Sequence, residues 1–534
     1  MTAKHTSQAA GLLVIVLIAL GTVCTPSPAC AVDLDSLLAN SVGGPAAVTA
    51  LRGVTSFRGT GTVKINDQPG QFVLSVAMPD KLHLQVDMMG FSITQAFDGS
   101  VGWQRDFNGQ VSELSGFEYQ EIVNQAYFQT YSYLFDGRIG GGKQYVGVVT
   151  RDGVAYHQVD FYPLYLDTVS VLFDQTTGLQ AVSIGYMDNM EMVSTSDDYR
   201  AVGGFLTSFH SVAAATGAPL SSDFQVDSLM VNHPVDLNLF RKPGTSAADF
   251  RFPAGVDSVL VPFELVTGHI YVGGVINGTR KVRFILDSGA SANVYHAPAL
   301  DGLAVEIVGE IAAKGISGYE KVQMVRTDSV AVGDLVLLGQ TGGSVDMTGI
   351  GRDDGDIRFG GVLGYDFLSR FPILVDYPGS RLIVYNPERF APPEGGAEVP
   401  FTLTMQVPTI RAELAGVAGD YIVDLGNAFG VIVHHDYARR TNLLARLDDV
   451  ETFTDRVAGL GGSVAGKSAF AATFSFGDIR VNSLRVILPE SSEGLAGSTA
   501  VAGNIGNLFL RQFRVLFDYA GRRLLFYDGE STGP

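Results

Sequence analysis

Beyond residue 30 the chain has no cysteine, because both of its cysteines, Cys24 and Cys30, lie in the first thirty positions. If that segment is removed, structural disulfides, thiol catalysis and cysteine-ligated metal are excluded together. Positive charge is also scarce. Lysine and arginine total 36 against 55 aspartates and glutamates, a formal net charge of -19. That balance argues against nucleic acid or an anionic membrane as partner. After Val23 no apolar run is long enough to cross a bilayer. With 46% hydrophobic and 17% charged residues, the chain has a globular composition without the signature of disorder, and 534 residues allow two to four domains.

What is present begins with a leader. Lys4 and His5 precede an apolar run from Leu12 to Val23, and Ala29-Cys30-Ala31 supplies a small-x-small cleavage pattern. The expectation is a secretory signal over residues 1–31, a mature start near Val32, and a product in the periplasm or outside the cell with no stable membrane anchor. Gly21-Thr22-Val23-Cys24 fits a lipoprotein signal poorly.

Residues 32–245 read as half-buried antiparallel strands. Phe72, Leu74, Val76 and Met78 alternate with polar or small residues, and after Pro79-Asp80 so do Leu82, Leu84, Val86 and Met88. A short helical start is expected from Asp33 to Leu51 and an internal helix from Phe117 to Phe135. Turns at Phe97-Asp98-Gly99, Asn108-Gly109 and Asp152-Gly153 imply a meander forming one strongly curved sheet. Phe57-Arg58-Gly59-Thr60-Gly61, Phe97-Asp98-Gly99 with Gly102-Trp103, and Phe173-Asp174 with Thr177-Gly178-Leu179 resemble the periplasmic lipoprotein-carrier and lipoprotein-sorting family. The resemblance implies an open half-barrel holding an acyl chain or similar apolar ligand. The other reading is an accessory domain only.

A linker is read at 246–258, and an internal repeat follows it. Ile285-Leu286-Asp287-Ser288-Gly289 recurs as Ile422-Val423-Asp424-Leu425-Gly426. Gly361-Val362-Leu363-Gly364 recurs as Gly503-Asn504-Ile505-Gly506, and Asp376-Tyr377 with Arg381-Leu382 recurs as Asp518-Tyr519 with Arg523-Leu524. Two mostly-β lobes are expected, at 259–391 and 397–530, separated by Pro392-Pro393-Glu394-Gly395-Gly396.

In both copies an apolar strand delivers a carboxylate into a glycine turn. A charge placed there is costly unless it is hydrogen-bonded or shares a proton. Asp287-Ser288-Gly289-Ala290 and the later Val362-Leu363-Gly364 resemble the retropepsin-like aspartic peptidases. The resemblance implies a mostly β chain: a curved N-terminal half-barrel with a helix, then two tandem retropepsin-like lobes forming a pseudo-twofold bilobal unit. It implies Asp287 and Asp424 as catalytic residues, one ionised to activate water and the other protonated toward the scissile carbonyl. Ser288, Gly289, Ala290, Gly426, Asn427, Gly364 and Gly506 would support the pair. Peptide or protein is the implied substrate, with neither cofactor nor metal.

The second motif departs from the pattern. Leu425 stands where a hydroxyl is expected and Asn427 replaces a small residue. Three arrangements therefore stay open: an intrachain Asp287/Asp424 pair in a monomer, a homodimer pairing two Asp287 residues, and a degenerate site without turnover. The last would make the chain a carrier of an apolar or peptide ligand. Flexible hairpins over the substrate are read at Lys314–Tyr319, with Gly315, Ile316 and Gly318, and at Gly459–Gly462, with Gly459 and Gly461. His434-His435 reads as a solvated helix start.

Overall fold

A computed structural model describes residues 32–164, 167–187, 190–244, 249–315, 318–459, 462–490 and 498–529. The expected leader at 1–31 lies outside these, as do Ile316 and Gly461. The chain divides into two compact units with the boundary after Ser246.

In the first unit thirteen strands form one antiparallel sheet among the described residues. Strands adjacent in sequence pair throughout except at one gap, and Ser56–Ile65 closes back onto Ser221–Val231, with Phe57 opposite Val231 and Ile65 opposite Ser222. The two unpaired edges, Val111–Glu113 and Gly141–Arg151, are consecutive in the chain. The sheet thus curves almost into a barrel and stays open at one seam. The helix Gly116–Gln129 lies between those edges in sequence and packs on both sides of the opening. Tyr119 meets Phe97 edge to face at 6.1 Å, and Phe128 meets Phe161 the same way at 5.5 Å. Beneath the helix is a cavity of about 260 Å³, lined by Phe72, Leu74, Leu84, Phe128, Tyr131 and Phe224 among others.

Two expectations here need correction. The internal helix ends at Gln129 rather than Phe135, because Tyr131 takes a left-handed conformation (φ 52°) and only a short 3₁₀ turn, Ser132–Leu134, follows. The helical start is two helices, Leu34–Asn40 and Pro45–Arg52, broken where Gly43 and Gly44 adopt φ of 106° and 95°. Such angles favour glycine and interrupt a helix.

The second unit holds both lobes. Lobe 1 orders its strands Glu306–Gly315, Gly318–Val332, Leu335–Val345, Val294–His296, Arg358–Leu363, Arg280–Leu286, His269–Ile276 and Ser258–Val266. Lobe 2 repeats that order as Asp448–Gly459, Gly462–Phe476, Ile479–Pro489, Val431–Val433, Gly503–Ile505, Val417–Val423, Val407–Leu414 and Thr402–Thr404. The lobes join where Ile373–Asp376 pairs antiparallel with Phe513–Asp518, centred on Leu374 opposite Leu516. Matching ion pairs recur on the two sides, each from a buried aspartate to a more exposed arginine, Arg381 to Asp376 and Arg523 to Asp518, each at 2.9 Å.

The stretch read as a linker is built into lobe 1 from Asp249 onward. Phe250 pairs with Leu337 and meets Phe371 edge to face at 4.9 Å, while Asp249 accepts from Arg370 Nε at 2.9 Å. The Arg370 side chain is wholly buried, so the charge needs this partner. His434 is likewise not solvated. It is buried at the start of the helix His435–Arg440, its N–H donating to the Ala502 carbonyl at 2.9 Å.

Candidate active site

Each aspartate is placed by two short parallel strands. Val282–Leu286 is buried throughout and runs beside Arg358–Leu363, with Leu286 opposite Leu363. The next N–H, that of Asp287, donates to the Leu363 carbonyl at 2.9 Å. In lobe 2, Val423 lies opposite Ile505, and the Asp424 N–H donates to the Ile505 carbonyl at 2.9 Å. The same register therefore ends both strands at a carboxylate.

The turns that follow also correspond. Asp287 Oδ1 accepts the Gly289 N–H at 2.8 Å, and Asp424 Oδ1 accepts the Gly426 N–H at 2.7 Å. Tyr365 N–H donates to the Ala290 carbonyl at 2.9 Å, and Asn507 N–H to the Asn427 carbonyl at 2.8 Å. Gly364 and Gly506 press against these turns. A Cβ on Gly364 would lie 2.4 Å from the Ala292 oxygen, and one on Gly506 would lie 2.4 Å from Asn427 Cγ.

The structure brings Asp287 and Asp424 of one chain together. A Cβ on Gly289 would sit 2.5 Å from Asp424 Cγ, and one on Gly426 would sit 2.2 Å from Asp287 Cγ. Each glycine thus lies against the carboxyl of the opposite lobe. Burial, then the Asp424 charge, then a hydrogen bond between the two carboxyls hold Asp287 well above the usual carboxylate range. Two carboxyls so placed titrate as a pair and share a proton.

The hydroxyl contact across the lobes at the two turns is one-sided. The Ser288 hydroxyl donates to the Val423 carbonyl at 2.7 Å and accepts the Leu425 N–H at 2.9 Å. The fully buried Leu425 has no hydroxyl to return the contact. Gly315 pairs with Gly318, and Gly459 with Gly462, at the ends of two long hairpins.

Several residues around the pair were not singled out from sequence. Asn504 donates from Nδ2 to Asp424 Oδ2 at 2.6 Å, and Asn427 Nδ2 donates to Asn504 Oδ1 at 2.9 Å. Asn507 donates to the Leu425 and Gly268 carbonyls and accepts the Tyr377 hydroxyl at 2.6 Å. Tyr519, the repeat mate of Tyr377, is buried, its hydroxyl without a hydrogen-bond partner among the described residues and its ring 5.7 Å from Tyr365. His269 feels the Asp424 charge and the Gly426 backbone, but burial is larger and pushes its pKa down. The available signal was a polar residue at an aliphatic position of the repeat, Asn504 opposite Val362.

A search of curated proteins returns no match. Among solved structures, an aspartic proteinase from Irpex lacteus is 13% identical, with 51% of this chain and 97% of that one covered at a TM-score of 0.33. An outer membrane lipoprotein-sorting protein domain from Vibrio parahaemolyticus is 10% identical, covering 36% of this chain and 93% of that one at a TM-score of 0.28. A LolA superfamily protein from Nitrosomonas europaea is 10% identical, covering 39% and 96% at a TM-score of 0.28. At these scores the likenesses bear no weight. Residues 272–367, which hold Asp287 and Gly364, match the aspartyl protease family.

Proposed function

We propose that the chain is an aspartic endopeptidase that hydrolyses peptide bonds with water activated between Asp287 and Asp424. The observation that carries this reading is the pairing of the two carboxyls over Gly289 and Gly426. One shared proton lets one carboxyl act as base toward water while the other donates to the scissile carbonyl, as in other carboxyl pairs held close together. The family match over 272–367 supports the same chemistry.

The hairpins ending at Gly315/Gly318 and Gly459/Gly462 would cover an extended peptide, paired to strand edges by its backbone. The leader pattern at 1–31 supports work in the periplasm or outside the cell. Among the described residues no helix is long and apolar enough to cross a membrane. The cavity of about 260 Å³ in the first unit would take an apolar or lipidated ligand.

The test is cleavage of unfolded proteins by the purified chain from acid to neutral pH. Activity lost in Asp287→Asn supports the reading. Absence of cleavage at every pH overturns it and leaves the carrier reading.

A further inference from the structure

Asp424 is held by side chains that have no counterpart at Asp287. Asn504 and Asn427 contact it or each other, while their repeat mates are Val362 and Ala290, which carry no donor. The orientation of both amides follows from chemistry. The Phe429 N–H can only donate, so the atom it meets at 2.8 Å is Asn427 Oδ1. Asn427 must then turn its Nδ2 toward Asn504, where the acceptor at 2.9 Å is Oδ1. Asn504 is left with its Nδ2 aimed at Asp424 Oδ2, at 2.6 Å. The far oxygen of Asp424 therefore meets an N–H. Its near oxygen meets two more, from Gly426 at 2.7 Å and Asn427 at 3.1 Å, but Asp287 has the matching backbone donors, Gly289 and Ala290, so the Asn504 amide is what distinguishes the two carboxyls.

Building on the peptidase reading above, we propose that Asn427 and Asn504 form a directed amide relay that keeps Asp424 ionised and places the dyad's single proton on Asp287. N–H donors favour the charged form of a carboxyl, and successive amides polarise one another toward it. The direction at Asp287 agrees, since burial and then the Asp424 charge favour its protonated form and outweigh the Gly289 and Ala290 N–H groups that oppose it. The other titratable groups facing the pair are Tyr519, with Tyr365 beyond it, and His269, with Arg352 beyond it. Burial keeps Tyr519 neutral and disfavours a proton on His269.

This assigns direction to the reaction. Water gives a proton to Asp424 and its oxygen to the carbonyl carbon, while Asp287 gives its proton to the carbonyl oxygen. On collapse the amide nitrogen takes the proton from Asp424 as the C–N bond breaks. A hydroxyl of the tetrahedral carbon returns a proton to Asp287, so the pair ends as it began. Asn504 is a positioning residue, acting through Asp424.

The test is carbon-13 NMR of carboxyl-labelled aspartate in the purified protein, with the two signals assigned through Asp287→Asn and Asp424→Asn. In the parent, the Asp287 signal is expected to stay at the protonated position through mild acid while the Asp424 signal stays at the ionised one. In Asn504→Val, which copies the residue of lobe 1, both signals are expected to move toward a common intermediate. The acid limb of kcat/KM should rise by about one pH unit, tenfold in proton affinity, with Asn504→Ser keeping part of the parent behaviour. Asn427→Ala, which breaks the relay one step back, should move the signals less and in the same direction; it also serves if Asn504→Val does not fold. Unmoved signals in the variants, or an ionised Asp287 in the parent, would overturn the proposal. Split signals in a protein that cleaves nothing would uphold the proton placement and sink the peptidase reading instead.

Discussion

The Ser288 hydroxyl bridges the two lobes at Leu425, accepting the Leu425 N–H at 2.9 Å while donating to the Val423 carbonyl at 2.7 Å. Both bonds are buried, and Leu425 cannot supply the reciprocal pair. Removing the hydroxyl orphans two backbone groups at the centre of the unit. Ser288→Ala is expected to cost about 1–3 kcal/mol for each buried group left unsatisfied. Looser turns should also lower kcat by roughly tenfold to a hundredfold. Denaturant unfolding and cleavage rates read the two effects separately.

Gly426 is fixed by closeness rather than by backbone angle. An added Cβ would stand 2.2 Å from Asp287 Cγ, so one carboxyl has to move. Gly426→Ala is expected to lose about a hundredfold or more in kcat/KM, the cost of misplacing reacting groups by about 1 Å. The change is local, so the melting transition should remain cooperative.

Asp287 makes stability depend on pH in the direction opposite to an ion-paired aspartate. Its folded form holds the proton above the usual range because of burial and the Asp424 charge. The unfolded chain releases that proton near pH 4. Above that point the folded state binds more protons than the unfolded one, and stability falls as pH rises, by up to about 1.4 kcal/mol per pH unit for one proton. The fall ends when Asp287 itself ionises. Asp287→Asn removes the dependence and keeps a donor toward Asp424. The variant should match the parent in melting temperature below about pH 4 and exceed it increasingly toward neutrality. Equal melting temperatures at pH 4 and pH 7 would contradict the buried pairing.

Asp249 anchors the start of the second unit. Arg370 donates to it from Nε at 2.9 Å and is itself wholly buried. Asp249→Ala leaves that cation without its carboxylate and is expected to cost about 3–5 kcal/mol. Guanidinium unfolding of the parent and variant checks this.

Much of this architecture was legible because it depends on patterns local in sequence. Alternation around Phe72–Met88 announced the curved sheet, and the recurrence of the Asp287 motif at Asp424 named both halves of the pair. Less legible was whatever depends on strands brought together from far apart. Asn504 acts on Asp424 because Gly503–Ile505 runs beside Val417–Val423, a parallel pairing across some eighty positions. Asp249 looked like linker because its partner, Arg370, lies 121 positions away. His434 looked solvated because a polar pair usually is, yet the Ala502 carbonyl holds its backbone in the core. The helix at Gly116–Gln129 was found but overrun, since apolar spacing continues past the left-handed Tyr131 that stops it.

On the reading proposed here, Asp287 and Asp424 of one chain form a single catalytic pair. The most direct measurement is kcat/KM on an unfolded protein for Asp287→Asn, for Asp424→Asn and for an equal mixture of the two. Each variant is expected to lose at least about a thousandfold, and the mixture to recover nothing, because neither chain holds both carboxyls. Activity retained in Asp424→Asn would contradict it and point to pairing of Asp287 between two chains.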